Sequence, residues 1–324
     1  MLRHARTILT TSTQFANVIS CTDLKTQFEQ NDFSVVFVDN FKQLTSTQLF
    51  EILVVVVEAD KFGARDMGIF PHLKLIIRFG AGYDNIDLDA AAKSEIMVAN
   101  APAMNHKSVA QFSALLMLAL SRRLIDFNQE VKRGKWQRVY NKTLIGMNLG
   151  IIGLGRIGKE LAKIALGFGM NVLAHDIFYD EEFIAQNKIE KKNSLTDLLK
   201  SSDFVTVHVP LTGNTRQLIG EQELIAMKPG SYLINASRGG VVDEKALLDA
   251  LESKRIAGAA LDVLSKEPPF EDKILGRLIA HPNVIVTPHI AAFTKQDHYA
   301  IGLRVLKNVI AFYEDRPDDI DRVS

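Results

Sequence analysis

Cysteine is nearly absent. The 324 residues hold one, Cys21, so no disulfide closes within the chain, and a reducing compartment, the cytoplasm, is the expected setting. A charge surplus is missing too, because 38 basic side chains balance 38 acidic ones. Without excess positive charge there is no broad field to grip nucleic acid or anionic lipid, so neither is expected as a partner. Long apolar runs do not occur. The most apolar stretch, Ile52 to Val57, falls far short of the roughly 20 residues that a membrane-spanning helix needs, and it fits a buried parallel strand. The opening MLRHARTILTT has no apolar core after its basic residues and reads as no secretory leader. Internal repeats and low-complexity tracts are also lacking, and no metal site is assigned.

What is present is ordinary globular composition, 47% hydrophobic and 23% charged, in a chain long enough for two domains. Short β-rich runs alternate with helical patterns, as in parallel sheets with helices on both faces. Strands are expected at 7–11, 35–38, 52–57, 73–78 and 97–100, and again at 149–153, 171–176, 204–209, 231–236, 257–263 and 283–287. Between the two sets, residues 108–120 are apolar on nearly every side, which predicts a helix buried between two bodies. A second long helix fits 295–314. The expected fold class is α/β with two doubly wound parallel-sheet domains. A nucleotide-type domain at 102–291 would be inserted into a second domain made of 1–101 and 292–324, with both linkers crossing at one hinge.

The stretch LGIIGLGRIGKE places Gly153, Gly155 and Gly158 between a strand and a helical pattern, the context of a dinucleotide-binding turn. Gly153 suits the tight turn, Gly155 close backbone approach to a pyrophosphate on the helix amides, and Gly158 close packing of helix on strand. The next strand ends in Asp176, 18 residues beyond Gly158. Its carboxylate suits both ribose hydroxyls and repels a 2′-phosphate, so NAD is expected over NADP.

Beyond the glycine turn, three polar residues sit at or just past strand ends: Arg238 after SYLINAS, Glu267 in LSKEPP after AGAALDV, and His289 in TPHIAA. All would emerge on the edge that carries the turn. Reduction of a 2-oxo acid by a nicotinamide leaves charge developing on the carbonyl oxygen. A protonated imidazole donates to that oxygen, a neighbouring carboxylate orients the ring, and a guanidinium forks onto the substrate carboxylate. His208, in VTVHVPLT, is read as a wall beside the cofactor rather than an acid–base group, and Asp262 lies near the end of its strand.

GLGRIGKE, HVPLT, NASRGGVVDEKALLDAL, GAALDVLSKEPP and TPHIAA closely resemble the D-isomer-specific 2-hydroxyacid dehydrogenases, a family that includes phosphoglycerate dehydrogenase and glyoxylate reductase. The resemblance implies a Rossmann NAD-binding domain inserted into a flavodoxin-like substrate domain, with Arg238, Glu267 and His289 catalytic. It implies cofactor contacts at Gly155, Arg156, Ile157, Asp176, Pro210, Ala236, Ser237 and Asp262, the last facing the nicotinamide carboxamide. In RFGAGYDNIDLDAA, the amides around Gly80, Ala81 and Gly82 would grip the substrate carboxylate from across the cleft. Arg78 matches an arginine that helps hold phosphate in phosphoglycerate dehydrogenases. One departure is VAQ, where the family usually reads VAE, so Gln111 replaces an acid. A homodimer is implied, formed through the linking helix and a segment like 120–140. Trp136, the one tryptophan, lies in that segment and reads equally as a core aromatic. The chain ends directly after its terminal helix, which leaves no room for a regulatory extension.

The expected function is hydride transfer between NAD(H) and a small 2-oxo or D-2-hydroxy acid. Alternatives are phosphoglycerate dehydrogenase specifically, or a dinucleotide-sensing, corepressor-like binding protein. Which acid is turned over, and in which direction, is not written in the sequence.

Overall fold

The computed structural model describes residues 6–323, apart from the side chain of Lys42. Met1 to Ala5, part of the stretch read as carrying no leader, lies outside the described residues. Contacts divide the chain into two units, Met1–Asn105 with Phe293–Ser324, and His106–Ala292. The helix His106–Arg122 begins the second unit, so residues 102–105 fall with the first.

In the first unit, five strands make a sheet: β1 (Arg6–Thr10), β2 (Phe33–Phe37), β3 (Val54–Val57), β4 (Leu75–Arg78) and β5 (Met97–Ala99), in the order β2-β1-β3-β4-β5. Every pairing is parallel. Alternate side chains feed opposite cores, as the two-residue period of a strand requires. Val54, Val56, Leu75 and Ile77 join one cluster, while Val55, Val57 and Ile76 join the other. A sheet buried on both faces must read as a continuous apolar run, which is what VVVV is.

The second unit has seven strands: β6 (Asn148–Ile152), β7 (Asn171–His175), β8 (Glu190–Lys191), β9 (Phe204–Val207), β10 (Tyr232–Asn235), β11 (Gly258–Leu261) and β12 (Val284–Val286). Their order is β12-β11-β10-β9-β6-β7-β8, again parallel throughout. Here too Val205, Leu233 and Ala259 face one core, and Phe204, Ile234 and Ala260 the other.

The α/β class and the doubly wound parallel sheets are as expected, with three differences. Most strands stop a residue or two early, because Gly153, Asp176 and His208, which the expected strands included, leave the ladder to build loops. The strand β8 was not expected: two charged residues at a sheet edge carry no strand pattern. The helix expected at 108–120 is not enclosed on nearly every side. Gln111, Leu115, Leu118 and Arg122, on one stripe of His106–Arg122, are exposed, Leu115 by 50%. Apolar composition alone could not separate a buried face from an apolar face turned outward. Among the described residues, no single helix is long and apolar enough to cross a membrane.

Candidate active site

Strand order in the second unit reverses between β6 and β9, and in open α/β sheets ligands bind beyond the carboxyl ends of the strands at such a point. Gly153, just past β6, has φ +93°, a left-handed value that side chains rarely adopt. A Cβ there would lie 2.9 Å from the carbonyl carbon and oxygen of His208, so the two strand ends touch backbone to backbone. Gly155 is the N-cap of the helix Arg156–Gly167, and a Cβ on it would meet nothing within 4 Å. The space beside the first helical amides is therefore open, as an incoming pyrophosphate requires. At Gly158 a Cβ would fall 2.3 Å from the Gly153 carbonyl oxygen. The helix is pressed onto its own loop, and only glycine fits.

Asp176, just past β7, turns its carboxylate back to the same loop. Its Oδ2 accepts from the Leu154 amide at 2.6 Å, and its Oδ1 from the Ile177 amide at 2.7 Å. Arg156 is exposed, whereas Ile157 packs in a small cluster with Val109, Ala236 and Ala291. The Pro210 carbonyl accepts from Thr215 Oγ1 at 2.6 Å, which shapes the turn after β9. His208 bonds through Nε2 to Thr206 Oγ1 at 2.8 Å, while its Nδ1 is buried with no partner. Burial pushes its pKa down to about 4, so the ring is neutral near pH 7 and fits a wall better than a proton donor. An open glycine turn beside a fixed acid and a neutral wall fits a dinucleotide.

The three polar groups sit at the ends of neighbouring strands. His289 Nδ1 is 2.9 Å from Glu267 Oε2, and the other carboxylate oxygen accepts from the Leu264 amide at 3.0 Å. Burial pushes the Glu267 carboxyl up, but the bonds from His289 and Leu264, with the charges of His289 and Arg238, outweigh it and hold the group below its ordinary value. An ionised carboxylate only accepts, so Nδ1 carries the shared hydrogen and Nε2 is the ring nitrogen outside this contact. Arg238 follows β10, and its Nη1 donates to the Ser237 carbonyl at 2.8 Å. The structure thus brings Glu267 and His289 into contact and sets Arg238 within electrostatic reach.

One holding residue, Asn235, was not anticipated in the sequence, and Asp262 has a holding role beside the cofactor contact expected of it. Buried Asn235 clamps the NASR turn: its Oδ1 accepts from the amide and hydroxyl of Ser237, and its Nδ2 donates to the Arg238 carbonyl at 2.9 Å. Asp262, expected to face the cofactor, is 1% exposed and holds the loop that carries His289. Its Oδ1 accepts from Thr287 Oγ1 at 2.6 Å and the Ile290 amide at 2.9 Å, and its Oδ2 from the Ala291 amide at 2.8 Å. Between those anchors His289 adopts φ +55°, a left-handed conformation that a non-glycine residue holds only when its surroundings enforce it. The one available signal was an aspartate at the end of an apolar strand, where water would have been its default partner.

In the first unit, Arg78 at the end of β4 folds back so that its Nη1 donates to the Phe79 carbonyl. A Cβ at Gly80 would fall 1.7 Å from that nitrogen, and Gly80 has φ +136°. The Gly80 amide is already bonded to the Arg78 carbonyl at 2.9 Å, and the Ala81 carbonyl accepts from Asn100 Nδ2 at 2.6 Å. Of the three amides expected to grip a carboxylate, at Gly80, Ala81 and Gly82, the first is therefore engaged within its own turn.

Known proteins match this architecture. A family model described as D-isomer specific 2-hydroxyacid dehydrogenase, NAD binding domain, matches residues 114–291, more than half of the chain. A D-3-phosphoglycerate dehydrogenase of Methanocaldococcus jannaschii is 41% identical over 273 residues, 82% of this chain and 51% of that protein. A hydroxypyruvate reductase of Thermotoga maritima is 38% identical over 259 residues, 79% of this chain and 83% of the relative. The chain spans about half the length of the phosphoglycerate dehydrogenases it matches. Among solved structures, a D-lactate dehydrogenase from Aquifex aeolicus, complexed with NAD and lactic acid, has a TM-score of 0.86 at 31% identity and covers 98% of each chain. A match of that extent decides the family: the chain belongs to the D-isomer specific 2-hydroxyacid dehydrogenases.

Proposed function

We propose that the chain is an NAD-dependent reductase of a small 2-oxo acid, yielding the D-2-hydroxy acid. The observation that carries this is the 2.9 Å contact between Glu267 and His289, at the same strand edge as an open glycine turn. Bound reduced coenzyme would supply the hydride. His289 Nε2 donates a proton to the carbonyl oxygen as charge develops on it, and recovers that proton in the oxidative direction. Glu267 keeps the ring oriented through Nδ1. Arg238 holds the substrate carboxylate by a charge-assisted pair. Gly153, Gly155, Gly158, Arg156 and Ile157 form the floor for the dinucleotide, with Pro210, Ala236 and Ser237 along its path. Asp176 takes the adenosine ribose and disfavours a 2′-phosphate, so NAD is the cofactor. The Gly80–Gly82 turn is assigned to the substrate carboxylate, and Arg78, in the phosphoglycerate reading, to the substrate phosphate.

The same reading makes the protein a cytoplasmic homodimer. The exposed stripe of Leu115 and Leu118 supports this, together with Trp136, 78% exposed and so no core aromatic of this chain. The phosphoglycerate reading draws support from the 41% identity to phosphoglycerate dehydrogenases. A screen of 2-oxo acids with NADH absorbance as readout, including glyoxylate, hydroxypyruvate, pyruvate and phosphohydroxypyruvate, tests the proposal. Turnover of at least one supports it, and the preferred acid decides between the readings. Tight NADH binding with no turnover of any acid would overturn it in favour of a dinucleotide sensor.

A further inference from the structure

One carboxylate of the NASRGGVVDEKALLDAL motif has no part in that mechanism. Glu244 opens the helix Glu244–Glu252, yet the helix is capped by Asp243, whose side chain accepts from the amides of Lys245 and Ala246. Glu244 reaches instead to the loop after β11. Its Oε1 accepts from the Ser265 amide at 2.7 Å, and its Oε2 accepts from the Ser265 hydroxyl. Burial, with Asp272 and Asp243 nearby, pushes its carboxyl up. An acid held in such surroundings, with both oxygens on one residue, is poorly explained as a solvated surface group.

The loop it grips is the one that carries Glu267. The Leu264 amide donates to Glu267 Oε1, and Glu267 Oε2 meets His289. The turn that carries Arg238 rests on the same segment: a Cβ at Gly239 would lie 2.0 Å from the Leu264 carbonyl carbon and 2.3 Å from the Ser265 nitrogen. Backbone packing at Gly239 sets how near the two loops come. The two bonds that Ser265 donates to Glu244 add a directional tie at the same segment. We infer that Glu244 is a positioning residue, which fixes the Leu264–Glu267 loop and through it the angle at which Glu267 meets His289. This rests on the proposed roles of Glu267 and His289.

The test is a double-mutant cycle on kcat. Glu244→Ala is expected to lower kcat on the order of tenfold, since small misplacements of reacting groups carry costs of that size. NADH affinity should stay within about twofold and KM change less than kcat. Glu244→Gln, whose amide oxygen still accepts from the Ser265 amide, should recover most of the loss. In a Glu267→Ala background, Glu244→Ala should lower kcat no further, because the two changes act through one contact. Fully additive losses, or a kcat unchanged in Glu244→Ala, would overturn the inference. The His289 imidazole resonance, followed by NMR without substrate, reads the same coupling apart from catalysis. It should move in Glu244→Ala toward its position in Glu267→Ala, and an unmoved resonance also overturns the inference. If no 2-oxo acid is turned over, the proposed function fails and the resonance alone decides this point.

Discussion

Asp262→Ala removes the group that holds the His289 loop, and its cost can be worked from the contacts. Three donors lose their acceptor: Thr287 Oγ1, the Ile290 amide and the Ala291 amide. A hydrogen bond to a charged group contributes about 1.5–3 kcal/mol, but these three are not additive, and water can replace part of the loss. Ala291 is 4% exposed, so its amide is left buried and unpaired, whereas Thr287 and Ile290 are only half-buried. The expected destabilisation is therefore about 2–4 kcal/mol, read as a lower midpoint in urea unfolding with the slope unchanged. The left-handed backbone at His289 adds a second consequence. A conformation at φ +55° costs roughly 1–3 kcal/mol and persists only under enforcement, so the loosened loop should relax and kcat should fall more than stability alone explains. Asp262→Asn, which keeps the shape and one accepting oxygen, should lie between the variant and the parent. An Asp262→Ala protein within 1 kcal/mol of the parent and with normal kcat would refute the view that this carboxylate holds the catalytic loop.

Two further outcomes follow from the same geometry. Gly158→Ala drives a methyl to 2.3 Å from a backbone oxygen. It should cost about 1–3 kcal/mol and weaken NADH binding in a fluorescence titration by more than tenfold; unchanged affinity would show that the helix has room to move away. His208, held at about 4 against an ordinary 6.5, resists a proton that the unfolded chain takes up. Its contribution is thus intact above pH 6.5 and lost as pH falls toward 4. Between pH 7 and pH 5 it should lower stability by about 2 kcal/mol, and His208→Gln should flatten that part of the urea-unfolding profile. An equal slope in both proteins would place the proton elsewhere.

The parts legible in the sequence were those set by short-range pattern. Three glycines between a strand and a helix have few other uses, and their tasks are local: a positive φ at Gly153, open space at Gly155 and a contact with its own loop at Gly158. Arg238, Glu267 and His289 stood out because strand topology sends successive strand ends to one edge. The groups that hold them were hidden, because their partners depend on which strands lie side by side. Asp262 reaches residues 25 to 29 positions away, and no periodicity reports such a link. Asn235 acts within its own turn, yet an asparagine at a strand end reads as an ordinary turn residue. The stripe on His106–Arg122 was misread for another reason. Leucine on an exposed stripe looks the same in sequence as leucine turned inward for a core.

The central claim, that His289 moves the proton for a hydride transfer supported by this fold, is tested most directly by the single-turnover rate of His289→Gln with NADH and the preferred 2-oxo acid. The NADH dissociation constant of the same preparation is measured alongside. The account predicts a rate lower by about 10²–10⁴-fold with NADH affinity within twofold of the parent. A parental rate in that variant would contradict it.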